Sequence, residues 1–322
     1  GLDHARALWQ LGLEAVDTVC ELIDTHGIDC DLREGNQHVA AKAKETVELE
    51  EEVAHLQGTY GYEQIRYVDK AELAGMTSGR GFHGGTLDSG ARHLHPLNYT
   101  LGLAAAASEL GAQLHEGSRA LGYTEGDKVR VRTDRGQVES RFLVLACNGY
   151  LEKLEPRAAG RIMPINNYML ATEPLPEDTA QRLIRDGVSM SDSLFVINYW
   201  KLSADNRLLF GGGESYTRLF PADIGGFVRK YMLRIYPELE NTRIDYGWGG
   251  TLAITMNRMP DFGRLSPQVL YAHGYSGQGV PIATLAGKLL AEVIGGTAER
   301  FDVMASVPSR TFPVGTLLRW PG

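Results

Sequence analysis

The sequence predicts an α/β domain interrupted by an α+β domain built on an antiparallel sheet, and three stretches carry that expectation. Residues 269–296 read as strand, glycine turn and helix in immediate succession. Phe142-Leu-Val-Leu-Ala-Cys147 is a second continuous apolar run, as expected for a strand covered on both faces, and Asn148-Gly149 terminates it. After Pro164 the pattern changes to alternating segments typical of antiparallel strands. A doubly wound sheet places the ends of the first two strands side by side, where a ligand crevice forms.

In the first stretch Gly274, Gly277 and Gly279 remove Cβ atoms where the chain turns, and Pro281 falls where the first turn of a helix tolerates a missing N–H. Ile282, Leu285, Ala286, Leu289, Leu290 and Val293 then recur at helical spacing, with Gly295 as a stop. Such a turn aims unpaired N–H groups and the positive end of the helix dipole at one point, which suits an anion or an electron-rich ring carbonyl. The same glycines also fit a tight strand-to-helix turn with no ligand.

Taken in order, the chain opens with a helix from Asp3, an N-cap, through Trp9, Leu13, Val16, Val19 and Ile23 to His26-Gly27. Residues 29–33 and 38–41 read as short strands about Glu34-Gly-Asn36, and 43–57 as a charged helix whose acidic run 48–52 is a solvated face. A strand end and short helix follow over 67–74, an irregular glycine-rich piece over 79–85 and a turn-rich loop over 85–96. Residues 97–110 form an alanine- and leucine-rich helix, and a strand enters at 113–115. Alternation over 121–124 and 129–133 predicts a hairpin about Glu125-Gly-Asp127, and Gly136 marks another reversal. In the interrupting domain the strands are 165–172, 194–202 and 207–211, the last two joined by Ser203-Ala-Asp-Asn206. A helix over 221–236 precedes a strand near 242–248, and 252–256 lead back to the first domain.

A chain of 322 residues buries a large core and makes two domains. A net charge of −8 with no basic run excludes nucleic acid as a partner. No apolar segment approaches the ~20 residues of a membrane span, and no charged-then-apolar signal pattern opens the chain, so no membrane partner and a cytoplasmic location are expected. Cys20, Cys30 and Cys147 are odd in number and lack a C-x-x-C pair, which argues against a disulfide framework or a zinc site. His93 and His95 form a lone H-x-H pair without adjoining cysteine or carboxylate and read as structural, so no metal is expected.

Five motifs, in order, resemble the D-amino-acid-oxidase-like FAD-dependent amine oxidoreductases. They are Thr86-Leu-Asp-Ser-Gly-Ala-Arg-His-Leu-His-Pro96, the helix leading to Gly111-Ala-Gln-Leu-His-Glu-Gly117, Val144-Leu-Ala-Cys-Asn-Gly149, Arg258-Met-Pro-Asp-Phe-Gly263 and Gly274-Tyr-Ser-Gly-Gln-Gly279. The branch they resemble most is the gamma-glutamylputrescine oxidases. The resemblance implies a glutathione-reductase-like FAD/NAD(P)-binding domain, N-terminally incomplete, interleaved with an antiparallel-sheet substrate domain. Residues 1–92 are then mainly substrate domain, 93–160 FAD-binding domain, 161–250 the substrate sheet and 251–322 the C-terminal part of the FAD-binding domain. The family's strand, Gly-x-Gly-x-x-Gly and helix unit for the FAD pyrophosphate is absent. The chain, which opens Gly1-Leu-Asp-His without a methionine, is therefore expected to be a piece of a flavoenzyme that binds FAD weakly by itself.

By the same resemblance Gly274, Tyr275, Ser276, Gly277, Gln278, Gly279 and Val280 form the turn whose amides face the flavin ring. Ala120 and Leu121 match the strand whose backbone meets the adenine. Ala146, Cys147, Asn148 and Gly149 match the turn near the pyrophosphate, and Arg258, Met259 and Pro260 the strand entry near the flavin. Tyr168, Tyr199 and Trp200, and likewise Trp248, lie on strands of the sheet that roofs the flavin, and Tyr168, Tyr199 and Trp248 are the candidate catalytic-pocket residues. The implied reaction is hydride transfer from the carbon beside an amine nitrogen to the flavin, with a small-molecule amine as substrate and dioxygen or another acceptor as reoxidant. The rival readings are an oxidase or dehydrogenase of an N-methylated or cyclic amino acid, which needs an arginine for the carboxylate, and a truncated cofactor-free chain without catalysis.

Overall fold

The computed structural model describes residues 1–217 and 219–313, so residues 314–322 of the expected C-terminal segment lie outside the described residues. The first part of the chain runs α1 (Leu2–His26), β1 (Arg33–Val39), α2 (Glu45–Tyr60), β2 (Ile65–Asp69), α3 (Lys70–Met76), β3 (Gly84–His93) and α4 (Pro96–Glu109). The strands β4 (Ala120–Thr124), β5 (Val129–Thr133), β6 (Gln137–Ser140) and β7 (Leu143–Leu145) follow, then α5 (Pro156–Ala159), β8 (Met163–Thr172) and α6 (Glu177–Leu183). Next come β9 (Ser189–Asp192), β10 (Tyr199–Leu202), β11 (Leu208–Ser215), α7 (Ile224–Ile235) and β12 (Ile244–Ile254). The chain closes with β13 (Asp261–Arg264), β14 (Val269–His273), α8 (Gly279–Gly295) and α9 (Glu299–Ala305). The described residues divide into two compact units, one made of residues 1–28, 100–165 and the described residues from 251 onward, the other of those within 29–99 and 166–250.

In the first unit β14 is buried along its whole length. It pairs in parallel with β7, Val269 opposite Leu143 and Tyr271 opposite Leu145, and antiparallel with β13. α8 packs Leu285, Ala286, Leu289 and Leu290 into one core with Leu11 and Ala15 of α1. A fully buried side chain such as Leu289 contributes about 1.5–3 kcal/mol. Glu14 ties the helices together at the rim, accepting from Lys288 Nζ at 2.8 Å and Arg300 Nη1 at 2.6 Å. Residues 1–28 therefore belong with this unit, and not with the substrate part expected for 1–92, because the apolar stripe of α1 meets its partner on α8. The run from Phe142 to Cys147 is also less covered than its composition implies: β7 keeps three residues, and of these only Leu145 is buried. A separate meander, β4-β5-β6, completes the unit. Residues 113–115 form no strand, since Leu114 is their one apolar side chain and all three are exposed.

The second unit is organised on a mixed sheet of order β12-β8-β11-β10-β9-β1-β3-β2. One face carries the core, where Trp200 stacks between Phe82 at 5.9 Å and Phe210 at 5.5 Å and donates its indole N–H to Tyr236 at 2.9 Å. The expected loop over 85–96 is largely strand β3, and its glycines serve close approach: a Cβ on Gly85 would lie 2.3 Å from the carbonyl oxygen of His38 on β1. β1 is one strand rather than two, crossing Glu34-Gly-Asn36 through a register shift with Gly35 at φ 93°. The expected strand over 194–202 contracts to β10, while β9 and α6 have too few apolar residues to register in a periodicity count.

Candidate cofactor site

Where β14 ends the backbone reverses through Gly274 at φ 69°, Ser276 at φ 51° and Gly277 at φ 101°, a left-handed sequence that glycine adopts without Cβ strain. α8 begins at Gly279 with no side-chain cap, so the N–H groups of Gly279 and Val280 in its first turn have no intrahelical acceptor. Gly277, Gln278 and Val280 are exposed, and a Cβ on Gly277 would meet nothing within 4 Å. The turn thus offers N–H donors and the positive end of a 17-residue helix to open space.

Two neighbouring segments brace this turn. From the β7 side, Asn148, itself at φ 45°, accepts the Gly274 N–H on Oδ1 at 3.0 Å. Gly149 lies against the returning strand β12, where an added Cβ would stand 2.5 Å from the Thr251 carbonyl oxygen. From β12, Ala253 accepts the Ser276 N–H at 3.1 Å. The Ser276 hydroxyl in turn approaches Thr255 N at 3.3 Å, and Thr255 Oγ1 donates to the Met259 carbonyl at 2.7 Å. Segments 148–149, 251–259 and 274–280 are therefore one hydrogen-bonded assembly.

Residues 1–293 match the family described as DAO, FAD dependent oxidoreductase. The chain belongs to the DAO family of FAD-dependent oxidoreductases. It is 38% identical over 322 residues to the gamma-glutamylputrescine oxidoreductase of Escherichia coli strain K12, covering all of this chain and 75% of that protein. It is likewise 38% identical over 317 residues to a probable oxidoreductase OrdL of Haemophilus influenzae, covering 96% of this chain and 72% of that one. Glycine oxidase from Geobacillus kaustophilus shares the fold with a TM-score of 0.77 at 20% identity, over 89% of this chain and 79% of that one. L-Proline dehydrogenase from P. horikoshii does so with a TM-score of 0.75 at 20% identity, over 90% and 79%.

FAD is the cofactor of this DAO family, and the turn suits part of it: orphan N–H donors, a helix N-terminus and unfilled space above Gly277 match an electron-rich ring edge. Gly79-Arg-Gly-Phe-His-Gly84 has the spacing of a dinucleotide fingerprint but follows α3 and leads into β3, the reverse of the strand-to-helix order that presents a helix N-terminus to phosphate. Of the other sequence-derived cofactor positions, Ala120 and Leu121 lie at the start of β4 in the meander, outside the β13-β14-β7 sheet. Ala146 is exposed, and burial pushes the half-buried Cys147 thiol up. Arg258 sits at φ 63° in the 255–259 turn beside the exposed Met259, and Pro260 enters β13.

The three pocket aromatics of the second unit part company. Tyr168 is fully buried in the core, edge-on to Phe220 at 5.7 Å and Phe227 at 5.2 Å, so it presents no surface to a ligand and leaves the candidate set. Tyr199 neighbours the core residue Trp200, and strand alternation sends it to the opposite face. There its ring lies against Gly211, its hydroxyl donates to Asn167 Oδ1, and burial pushes its ionisation up to about 12. Trp248 is 43% exposed beside Gly249, whose missing Cβ faces Tyr168, so the indole points the other way. The same face holds pairs that periodicity did not mark: Asn36 with Ser189 at 2.9 Å and His38 with Ser191 at 2.9 Å. Only the register between β1 and β9 brings these together.

Proposed function

We propose that this oxidoreductase acts on the carbon–nitrogen bond of an amine resembling gamma-glutamylputrescine. The observation that carries the reading is the braced glycine turn of residues 274–280, together with 38% identity along the whole chain to a gamma-glutamylputrescine oxidoreductase. Bound at that turn, the flavin supplies the acceptor for the hydrogen and two electrons removed from the carbon beside nitrogen. The backbone N–H groups of Gly279 and Val280, with the α8 dipole, would hold an electron-rich edge of the flavin ring and stabilise negative charge that develops on it.

Within the second unit, taken by itself, one sheet face is polar and uncharged in a way that suits an amide-bearing ligand. Asn36, His38, Asn167, Ser189, Ser191 and Tyr199 are hydroxyl, amide and imidazole groups already paired with one another, and a neutral amide exchanges such hydrogen bonds readily. The test is anaerobic bleaching of the flavin band in FAD-supplemented protein. Gamma-glutamylputrescine should bleach it faster than sarcosine or proline. Faster bleaching by the two amino acids would replace this reading with oxidation of an N-methylated or cyclic amino acid, and no bleaching by any would favour a chain without catalysis.

A further inference from the structure

β13 and β14 meet so that the first residue of one faces the last residue of the other, Asp261 opposite His273. Their side chains join, His273 Nε2 to Asp261 Oδ2 at 2.9 Å, and each is 1% exposed. Tyr271, two residues back and so on the same face of β14, donates its hydroxyl to Asp261 Oδ1 at 3.3 Å and lies edge-on to the imidazole at 5.0 Å. Arg161, 39% exposed at its side chain, reaches in from the surface with Nη1 at 2.6 Å from the Tyr271 hydroxyl and 3.4 Å from Asp261 Oδ1. Burial and the adjacent carboxylate together push the Tyr271 hydroxyl above its ordinary value, so it stays a donor.

A buried carboxylate is costly unless every oxygen is engaged, and apolar residues of the same size fill such a site more simply. This one is engaged on both oxygens, and a Cβ on Gly274, the residue that begins the cofactor turn, would stand 3.9 Å from the Asp261 Cβ. The turn is left-handed at Gly274, Ser276 and Gly277, so its direction depends on how the last residue of β14 is held. Asn148 holds it from the β7 side through Gly274. On the β13 side the corresponding hold is the Asp261–His273 pair.

We propose that Asp261 and His273, with Tyr271 and Arg161 behind them, are positioning residues that set the direction of the 274–280 turn toward the flavin. The inference rests on the flavin reading of that turn. Asp261 fixes the imidazole, the imidazole fixes the end of β14, and the end of β14 fixes where the N–H groups of Gly279 and Val280 converge.

Three variants of the full chain test this: His273→Leu, His273→Gln, whose amide still donates to Asp261, and the double variant Asp261→Asn/His273→Leu, which removes the buried carboxylate together with its partner and so guards against unfolding. FAD is titrated into each, and the visible absorption and circular dichroism of the bound flavin are recorded beside the melting temperature. Binding at least tenfold weaker, with an altered visible spectrum, is expected for the two leucine-containing proteins, and recovery to within threefold of wild type for His273→Gln. If all three bind as wild type does and give the same flavin spectrum while only the melting temperature falls, the network is structural and the proposal is overturned. Failure of the wild-type chain to bind FAD saturably would instead overturn the flavin reading on which it rests.

Discussion

The side-chain carbonyl of Asn148 accepts the backbone N–H of Gly274 at 3.0 Å, joining the chain just beyond β7 to the chain just beyond β14. Two strand ends that are 126 positions apart in sequence are thereby held at one place, where α8 starts. Asn148→Ala leaves the Gly274 donor without its acceptor, at a cost of about 1–3 kcal/mol. FAD titration of that variant is expected to give affinity roughly tenfold weaker, the binding equivalent of about 1.4 kcal/mol. Asn148→Asp, which keeps an acceptor, is expected to recover most of the loss.

Gly149 has no room for a side chain, because the Thr251 carbonyl oxygen would stand 2.5 Å from its Cβ. Gly149→Ala therefore pushes β12 away from the turn and is expected to lower stability by about 1–3 kcal/mol, read as a shift in the urea midpoint.

Gln37 is 1% exposed on β1, and neither polar atom of its amide has a hydrogen-bond partner among the described residues. Gln37→Met keeps the length and removes both buried polar atoms, so thermal unfolding should show a protein more stable by about 1–3 kcal/mol. A less stable variant would mean that the amide is satisfied in solution.

His93 is held neutral: burial first, then the Lys201 charge, lowers its ionisation to about 4 from the ordinary 6.5. The unfolded chain takes up this proton at higher pH than the folded one, so the associated stability is present above 6.5 and is lost as pH falls toward about 4. His93→Gln removes that contribution. Urea midpoints measured across this window should fall less steeply for the variant than for wild type.

How much of this was legible in the residues depends on range. Gly274, Gly277, Gly279 and Pro281 announce the turn and the helix because their conformational demands are local. Val269 to His273 announces a buried strand by composition alone. What stayed hidden depends on register. Asp261 and His273 become partners only when β13 folds back on β14, and Asn36 meets Ser189 across 153 positions. Tyr168 and Tyr199 looked equivalent as strand aromatics, yet one faces the core and the other the opposite side of the sheet, a difference fixed by strand parity. β3 was obscured because its glycines, placed for close approach to β1, carry the composition of a loop.

Gly277 tests most directly whether the turn from Gly274 to Val280 holds the flavin, since a side chain there enters open space at the turn and strains a backbone at φ 101°. The measurement is a flavin-fluorescence titration of the 322-residue chain and of Gly277→Val, with far-ultraviolet circular dichroism to establish that both are folded. Saturable binding in the micromolar range or weaker is predicted for the wild-type chain, which shows no strand-to-helix phosphate fingerprint among its described residues, and at least tenfold weaker binding for the variant. A Gly277→Val protein that titrates like wild type, or a wild-type chain with no saturable flavin binding, would contradict the account.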